Sequence, residues 1–217
     1  MSDSSRNETR WLTPVSPLTG EPAGTVPVTE PEEIAEFVNR SRRAFQSWGA
    51  MSHAERKPYL RSFAKHILNS MDRIAAVIVS ETGKNVGDAH AEIIGTLTSV
   101  DLYSRKAAKL LRPKNGKAWP FLTTRGWTEY HPLGVAGIIS PWNYPFYLPT
   151  LSAIQALAAG CTVVIKPSEL TPMSGQLIED LAIEAGFPED VVQVVHGDGQ
   201  IGAALVDAPT DVIAFTG

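Results

Sequence analysis

The chain has 217 residues, a formal net charge of −4, 43% hydrophobic residues and 19% charged residues, the composition of a soluble globular protein with one large or two small domains. The charge excludes the basic footprint of a nucleic-acid-binding protein, and no apolar run approaches the roughly 18 residues that a membrane helix needs. The polar N-terminus lacks the apolar core of a secretory signal, and the single cysteine excludes an internal disulfide framework, so we expect a cytoplasmic protein.

The first predicted elements are short β segments, followed by a helix. Residues 11–28 are β-prone pieces broken by prolines and glycines, and residues 18–21 are expected to form a hairpin turn or, alternatively, a plain surface loop. Thr29 and Glu32 have the spacing of a capping box, in which each side chain binds the backbone N–H of the other residue. An apolar stripe at helical spacing then predicts a helix that ends at Gly49.

Three more helices are predicted before the first buried strand. Ser52 and Glu55 repeat the capping-box spacing at the start of the second helix. The third begins at Asp72 and ends at Gly83, which is expected to adopt the left-handed conformation typical of a helix end. The fourth covers about residues 86–111, and we interpret the apolar stripes of these helices as core surfaces.

Residues 112–118 are predicted to form a turn-rich link, and residues 119–131 a strand-like ribbon. In the ribbon, aromatic residues alternate with Thr, Arg and Glu, a pattern typical of an exposed strand rather than a core strand. The apolar side of such a ribbon must be covered, either by a partner subunit or by the sheet of the same chain.

The last third of the sequence alternates buried strands with helices. Continuous apolar runs at residues 134–140, 162–165, 191–195 and 212–215 are typical of parallel strands covered on both faces. The sequence therefore predicts an α/β fold with a parallel sheet. Ligands of such folds bind in the crevice beyond the carboxyl ends of the strands.

Three polar residues follow the first two of these strands: Asn143 after the first, and Lys166 and Glu169 after the second. Asn143 lies in a turn between Pro141 and Pro145, where its amide is able to donate to a developing oxyanion; the alternative is an asparagine chosen for turn geometry alone. Lys166 and Glu169 are able to hydrogen-bond a ribose diol, and the carboxylate would repel a 2′-phosphate, which favours NAD over NADP. The alternative for this pair is a solvated ion pair at a surface strand end.

Two other patterns are less specific. Gly197, Gly199 and Gly202 match the letters of the dinucleotide fingerprint, but they follow the third predicted strand, and the sequence ends before the expected acidic residue about 20 positions on. A plain glycine turn is the alternative. Cys161 is rejected as a nucleophile because it precedes a buried strand, at the end of the sheet opposite to the expected site. The five histidines do not show metal-ligand spacing.

Several segments carry a resemblance to a known family. The longest are GVAGIISPWNYPF (134–146), AAGCTVVIKPSELTP (158–172), EAGFP (184–188) and AFTG (214–217). Upstream, the matching positions are Trp48, residues 55–56 and the ETGK segment at residues 81–84. In order and spacing, these segments resemble the NAD(P)-dependent aldehyde dehydrogenase superfamily from about residue 11 onward.

The resemblance implies a Rossmann-like cofactor domain, a catalytic domain and a protruding β-ribbon used for homo-oligomerisation. It implies that Asn143 is the oxyanion-hole amide and that Lys166 and Glu169 hold the adenosine ribose of NAD or NADP. The cofactor-binding residues that it implies are Ile139, Ser140, Pro141, Trp142, Lys166, Ser168, Glu169, Gly197, Gly199 and Gly217.

The resemblance also divides the chain. Residues 1–118 are expected to form the N-terminal hairpin and helices of the cofactor domain, and residues 119–132 the oligomerisation ribbon. Residues 133–217 are expected to form the Rossmann-like βαβ core of the NAD(P)-binding domain, truncated after its fourth strand. Such an incomplete sheet would leave that strand with an unpaired edge, which predicts poor solubility for the chain expressed alone.

The sequence also departs from the family pattern. The family's nucleophilic cysteine and glutamate general base belong to later segments that this sequence does not contain, and Ser152 stands where many members carry a lysine. We therefore expect the N-terminal portion of an enzyme that oxidises an aldehyde to a carboxylic acid, inactive alone. A truncated non-catalytic paralogue that binds nucleotide or a partner subunit, and an acylating CoA-dependent relative, are the alternatives.

Overall fold

The computed structural model describes residues 9–116, 120 and 123–217 of the chain. The strands in these ranges are β1 (Trp11–Leu12), β2 (Val26–Pro27), β3 (Lys114–Gly116), β4 (Gly126–Thr128), β5 (Val135–Ile139), β6 (Thr162–Lys166), β7 (Val192–Val194) and β8 (Val212–Phe215). The helices are α1 (Ile34–Trp48), α2 (His53–Asn69), α3 (Met71–Thr82), α4 (Val86–Leu110), α5 (Tyr147–Ala159), α6 (Pro172–Glu184) and α7 (Gly199–Asp207). None of these helices combines the length and the apolar character that crossing a membrane requires.

The N-terminal segment forms a small antiparallel ribbon. β1 pairs with β2, and an isolated antiparallel bridge between Val15 and Pro22 encloses a turn at residues 17–20. The hairpin turn predicted at residues 18–21 is therefore confirmed. A 3₁₀ turn, Pro31–Glu33, then leads into α1.

The capping box predicted for Thr29 and Glu32 is wrong. The Glu33 carboxylate instead accepts a hydrogen bond from the backbone N–H of Glu30, at 2.9 Å. Thr29 pairs with His196: its N–H donates to the His196 carbonyl at 2.9 Å, and its hydroxyl accepts from the His196 N–H at 3.0 Å. Because this long-range contact occupies the Thr29 hydroxyl, the start of the helical segment moves on by one residue.

The other helix signals agree with the structure. The Ser52–Glu55 capping box is present, with the Ser52 N–H donating to the Glu55 carboxylate at 2.7 Å. Gly83 ends α3 in the left-handed conformation, with φ at 72°. The third helix begins at Met71, one residue before the predicted start at Asp72.

The predicted link at residues 112–118 contains a strand. β3 pairs antiparallel with β4, so that Lys114 lies opposite Thr128, and the ribbon begins several residues before position 119. Pairing with a distant segment makes a strand of Lys-Asn-Gly, which has the composition of a turn. Residues 117–119 and 121–122, which belong to the predicted link and ribbon, lie outside the described residues.

The predicted α/β fold with a parallel sheet is confirmed. The strand order is β7-β6-β5-β8, and all three pairings are parallel. β6 directs Val163 and Ile165 into the larger core, which it shares with α2 to α6, and Val164 into a smaller core beneath α1 and α7. Helices thus cover both faces, which explains the continuous apolar runs in the strands. β8 lies at an edge of the described sheet, and its Phe215 is 70% exposed.

Candidate functional site

The strand order reverses at β5. From β5 the chain adds β6 and then β7 on one side, and β8 on the other. Ile139, at the carboxyl end of β5, lies opposite Lys166 in β6 and Phe215 in β8. The segments that follow these three residues therefore leave the sheet side by side, at the topological switch point where α/β folds bind their ligands.

The segment after β5 presents Asn143 on an exposed turn. The Ser140 N–H donates to the Lys166 carbonyl at 3.2 Å, which extends the strand pairing by one residue. Trp142 is 54% exposed, Asn143 is exposed, and Phe146 beyond the turn is fully buried. The turn is thus anchored at both ends, and the Asn143 amide lies at its exposed centre.

The carboxyl end of β6 holds a buried ammonium group. Lys166 is only 5% exposed, and its Nζ lies 3.2 Å from Oε2 of Glu169, whose side chain is 44% exposed. The Ser168 hydroxyl accepts a hydrogen bond from the Leu170 N–H at 3.2 Å and so shapes the turn between the two charged residues. A cation and a partly exposed carboxylate are therefore held together at the carboxyl edge of the sheet.

The glycine run after β7 serves helix–sheet packing. Gly197 has φ at 152°, and a Cβ there would lie 2.3 Å from Cγ1 of Ile201, so a side chain is not tolerated. Gly199 is the first residue of α7, and a Cβ at Gly202 would lie 4.0 Å from Cδ1 of Ile139. α7 therefore packs directly against the carboxyl end of β5, beside the turn of Asn143.

Gly217 and Cys161 lie at opposite edges of the parallel sheet, as the sequence predicts. The Thr216 N–H donates to the Ile139 carbonyl at 3.0 Å, which places the exposed Gly217 at the same edge as Asn143. Cys161 is 5% exposed and lies immediately before β6, at the opposite edge. Its burial and its distance along the strand from Lys166 agree with its rejection as a nucleophile.

Sequence reasoning missed three buried polar side chains that contact the segments around the site. Glu92 contacts the start of α5, Glu81 contacts the start of α6, and His196 follows β7. The sequence does contain a signal for Glu92, because this charged residue interrupts the buried stripe of α4 at helical spacing from Ala89 and Thr96. A charged residue on an apolar helix face requires a specific partner.

His196 is a buried neutral imidazole. It is 4% exposed, and its Nε2 lies 2.8 Å from the Gln176 side-chain carbonyl oxygen, so we assign the proton to Nε2. Burial, and then the charge of Lys166, lower the pKa of His196 from 6.5 to about 4. Between these values the unfolded chain binds a proton at this residue and the folded chain does not.

Acidification is therefore expected to destabilise the protein through His196. The contribution of neutral His196 to the free energy of unfolding is complete above pH 6.5 and is lost as the pH falls toward 4. Between pH 7.5 and 5, the free energy of unfolding should decrease by about 2 kcal/mol more in the wild type than in His196→Gln. Burial raises the pKa values of Glu81 and Glu179, which affects both proteins alike. Urea titrations at both pH values measure the free energy of unfolding of each protein. An equal decrease in the wild type and in His196→Gln would contradict the prediction.

A cavity of about 430 Å³ adjoins the Asn143 turn. Its lining residues come from the start of α4 and from the segment after Asn143: Lys84, Asp88, Ala91, Glu92, Gly95, Tyr144 and Tyr147. Lys84 is the one basic residue among them, and its ammonium lies 2.7 Å from the Glu92 carboxylate. A second cavity, of about 570 Å³, lies against β7 and α1, and none of the predicted site residues lines it.

Comparison with known proteins places this site in context. The family model described as "Aldehyde dehydrogenase family" matches residues 4–217. A 4,4'-diapolycopene aldehyde oxidase from Methylomonas sp is 40% identical over 208 residues, which are 94% of this chain and 39% of that protein. The chain thus spans about two fifths of the length of this curated relative.

Solved structures share the fold. An NAD-dependent aldehyde dehydrogenase from Sinorhizobium meliloti superposes with a TM-score of 0.88 at 33% identity, covering 95% of this chain and 42% of that one. An NADP-dependent glyceraldehyde-3-phosphate dehydrogenase from Bacillus halodurans C-125, complexed with NADP, superposes with a TM-score of 0.89 at 29% identity. That superposition covers 95% of this chain and 44% of the other.

Proposed function

The chain belongs to the aldehyde dehydrogenase family, and on that premise we propose that it supplies the cofactor-binding part of an enzyme that oxidises an aldehyde to a carboxylic acid. NAD is the proposed hydride acceptor, with NADP as the second possibility. One observation carries the proposal: the Asn143 turn and the Lys166–Glu169 pair leave adjacent strands at the point where the strand order reverses.

The residues at this edge fit a dinucleotide. A buried ammonium and a partly exposed carboxylate, 3.2 Å apart at Lys166 and Glu169, match the donor and acceptor needs of a ribose diol. The Ser140 hydroxyl is buried without a hydrogen-bond partner within the described part of the chain, so the strand end keeps an unused polar atom. When bound, the nicotinamide cofactor accepts the hydride. The proposed contacts are Ile139, Ser140, Pro141, Trp142, Lys166, Ser168, Glu169, Gly197, Gly199 and Gly217.

Glu169 is proposed to select NAD over NADP. Its carboxylate would lie near a 2′-phosphate and repel it. In Glu169→Gln, the ratio of the Kd for NADP to the Kd for NAD is expected to fall about tenfold. Fluorescence titration with both dinucleotides measures the ratio, and Glu36→Gln, an exposed charge change on α1, is the control. An unchanged ratio in Glu169→Gln would remove this role from Glu169.

The chemical step is proposed to need residues beyond these 217. In the family reaction a cysteine thiolate attacks the aldehyde, a hydride would pass from the adduct to the oxidised nicotinamide cofactor, and water then hydrolyses the thioester and releases the thiol. Asn143 is proposed to donate its side-chain N–H to the oxyanion that forms on attack. The one cysteine of this chain, Cys161, is buried at the opposite edge of the sheet, which supports the proposal that the chain is an N-terminal portion and inactive alone.

Three measurements test this function. A longer reading frame with a cysteine and a glutamate after position 217 would support the N-terminal portion of an enzyme, whereas a stop codon would favour a non-catalytic paralogue. NADH formation from propanal by the isolated 217-residue chain would contradict the proposed inactivity. Release of acyl-CoA instead of a carboxylic acid by the longer protein would indicate the CoA-dependent alternative.

We propose an uncharged aldehyde as substrate. The relative from Methylomonas sp is named a 4,4'-diapolycopene aldehyde oxidase. The cavity beside Asn143 is lined by two tyrosines, and its one basic residue, Lys84, is already paired with Glu92. A substrate carboxylate or phosphate would therefore find no unpaired cation among the described lining residues.

The remaining proposals concern the assembly of the protein. We propose a homo-oligomer in which the ribbon at residues 119–132 contacts a second subunit. In the described part of that ribbon, Trp127 is 64% and Tyr130 47% exposed, which is apolar surface suited to an interface. We also propose a cytoplasmic location. The proposed domain division stays at residues 118 and 132, although β3, Lys114–Gly116, pairs with the ribbon across the first boundary.

A further inference from the structure

Helix α5, which follows the Asn143 turn, is capped by another helix. Its own N-cap residue, Phe146, has no side chain able to accept a hydrogen bond. The Glu92 carboxylate of α4 accepts from the Phe146 N–H at 2.9 Å and from the Tyr147 N–H at 3.1 Å. Two of the free N–H groups at the helix start are thus satisfied by a side chain 54 residues earlier in the sequence.

The capping carboxylate is buried and paired with a cation. The Glu92 side chain is 0% exposed, and its second oxygen accepts from Lys84 Nζ at 2.7 Å. The same ammonium lies 4.2 Å from the ring centroid of Tyr144, the residue after Asn143. Lys84 and Glu92 therefore hold the segment from Tyr144 to Tyr147 at two points, one through its backbone and one through an aromatic face.

Glu81 provides an internal comparison. Its buried carboxylate caps α6 in the same way, accepting from the Met173 N–H at 2.7 Å and from the Ser174 N–H at 2.9 Å. It has no contact with the segment after Asn143 among the hydrogen bonds of the described residues. The two carboxylates act on different helices, so their effects are separable.

We propose that the Lys84–Glu92 ion pair positions Asn143 for oxyanion stabilisation. The pair holds the backbone at Phe146 and Tyr147, three and four residues after Asn143. The extended pairing of Ser140 with Lys166 holds the backbone before Asn143. The turn then has little freedom to move its amide away from the reacting oxygen. This role rests on the function proposed for Asn143, and it makes Lys84 and Glu92 positioning residues, because they act on the oxyanion through the turn that carries Asn143.

The test uses the full-length enzyme that contains these residues, with propanal and NAD. Lys84→Met leaves a buried carboxylate without its cation and is expected to lower kcat about 30-fold, with the KM for NAD changed less than about threefold. The double variant Lys84→Met/Glu92→Gln removes both charges and keeps an oxygen that accepts from the N–H groups of α5. Its kcat should therefore be at least about threefold higher than that of Lys84→Met. Lys84→Arg, which retains the cation, should stay within about fivefold of wild type.

Hydrogen exchange provides a readout that does not depend on activity. Amides of residues 144–148 should exchange at least about tenfold faster in Lys84→Met, whereas Glu81→Gln should accelerate residues 171–175 and leave 144–148 unchanged. Should Lys84→Met fail to fold, Glu92→Gln replaces it in both measurements. Wild-type kcat and wild-type exchange in these variants, beside a large loss in Asn143→Ala, would overturn the positioning role. Faster exchange with no loss of kcat in Asn143→Ala would instead overturn the function proposed for Asn143.

Discussion

Replacing Asn143 with alanine is expected to lower kcat of the full-length enzyme by about 10²–10³-fold, with little change in the KM for the aldehyde. An oxyanion exists only after nucleophilic attack, so a donor to it stabilises the transition state more than the bound substrate. The exposed turn between Pro141 and Pro145 holds the amide at the carboxyl edge of β5 before any substrate arrives. That preorganisation is the reason for expecting a large effect from one neutral side chain.

Steady-state kinetics with saturating NAD measure the loss. Asn39→Ala, which removes an exposed asparagine from α1, is the matched control and should retain wild-type kcat. Asn143→Asp keeps the shape, removes the donor and adds a negative charge, and it should be at least as impaired as Asn143→Ala. If Asn143→Ala bound NAD normally and kept kcat within about threefold of wild type, Asn143 would not be the oxyanion donor.

Local signals in the sequence predicted most of the fold. Ser52 with Glu55, and Gly83, act within a few residues of their own position, and both predictions are confirmed. The strands were predicted because burial on both faces leaves a continuous apolar run, as in Val163, Val164 and Ile165. These features depend on the residues of the segment itself and on its burial from solvent. They do not depend on which other segment packs beside it.

The errors lie where a distant residue decides the local structure. Two capping-box spacings overlap, Thr29 with Glu32 and Glu30 with Glu33, and the contact of Thr29 with His196 selects the second. β3 is a strand because β4 pairs with it. No pattern within either segment contains this information, because it is created by the fold.

The residues of the candidate site also include some that local sequence signals predict and some that depend on distant contacts. Lys166 and Glu169 were predicted because they follow a strand at a recognisable position, and the structure brings them within 3.2 Å of each other. Glu92 and Lys84 reach the site only through the packing of α4 on α5, and the sequence shows no more than a charge within an apolar stripe. The position of the charged pair at the strand end was thus predictable, whereas the contact of Glu92 with the start of α5 was not.

The largest stability effect is expected at Trp48. Its side chain is fully buried and lies 5.6 Å from the Tyr59 ring and 5.4 Å from the Phe187 ring, between centroids. This cluster joins the end of α1 to α2 and to the segment before β7. Trp48→Ala removes the largest ring of this cluster and leaves a cavity, which should lower the free energy of unfolding by about 3–5 kcal/mol.

Two matched variants separate the contributions at this position. Trp11, 61% exposed, loses little buried area in Trp11→Ala, which should cost less than about 1 kcal/mol. The Trp48 Nε1–H is buried without an acceptor among the described residues, so Trp48→Phe keeps an aromatic ring and removes an unsatisfied donor. Because the lost volume and the removed donor act in opposite directions, Trp48→Phe should cost less than about 2 kcal/mol. Urea denaturation measures the free energy of unfolding of all three variants, and a Trp48→Phe cost equal to that of Trp48→Ala would contradict this expectation.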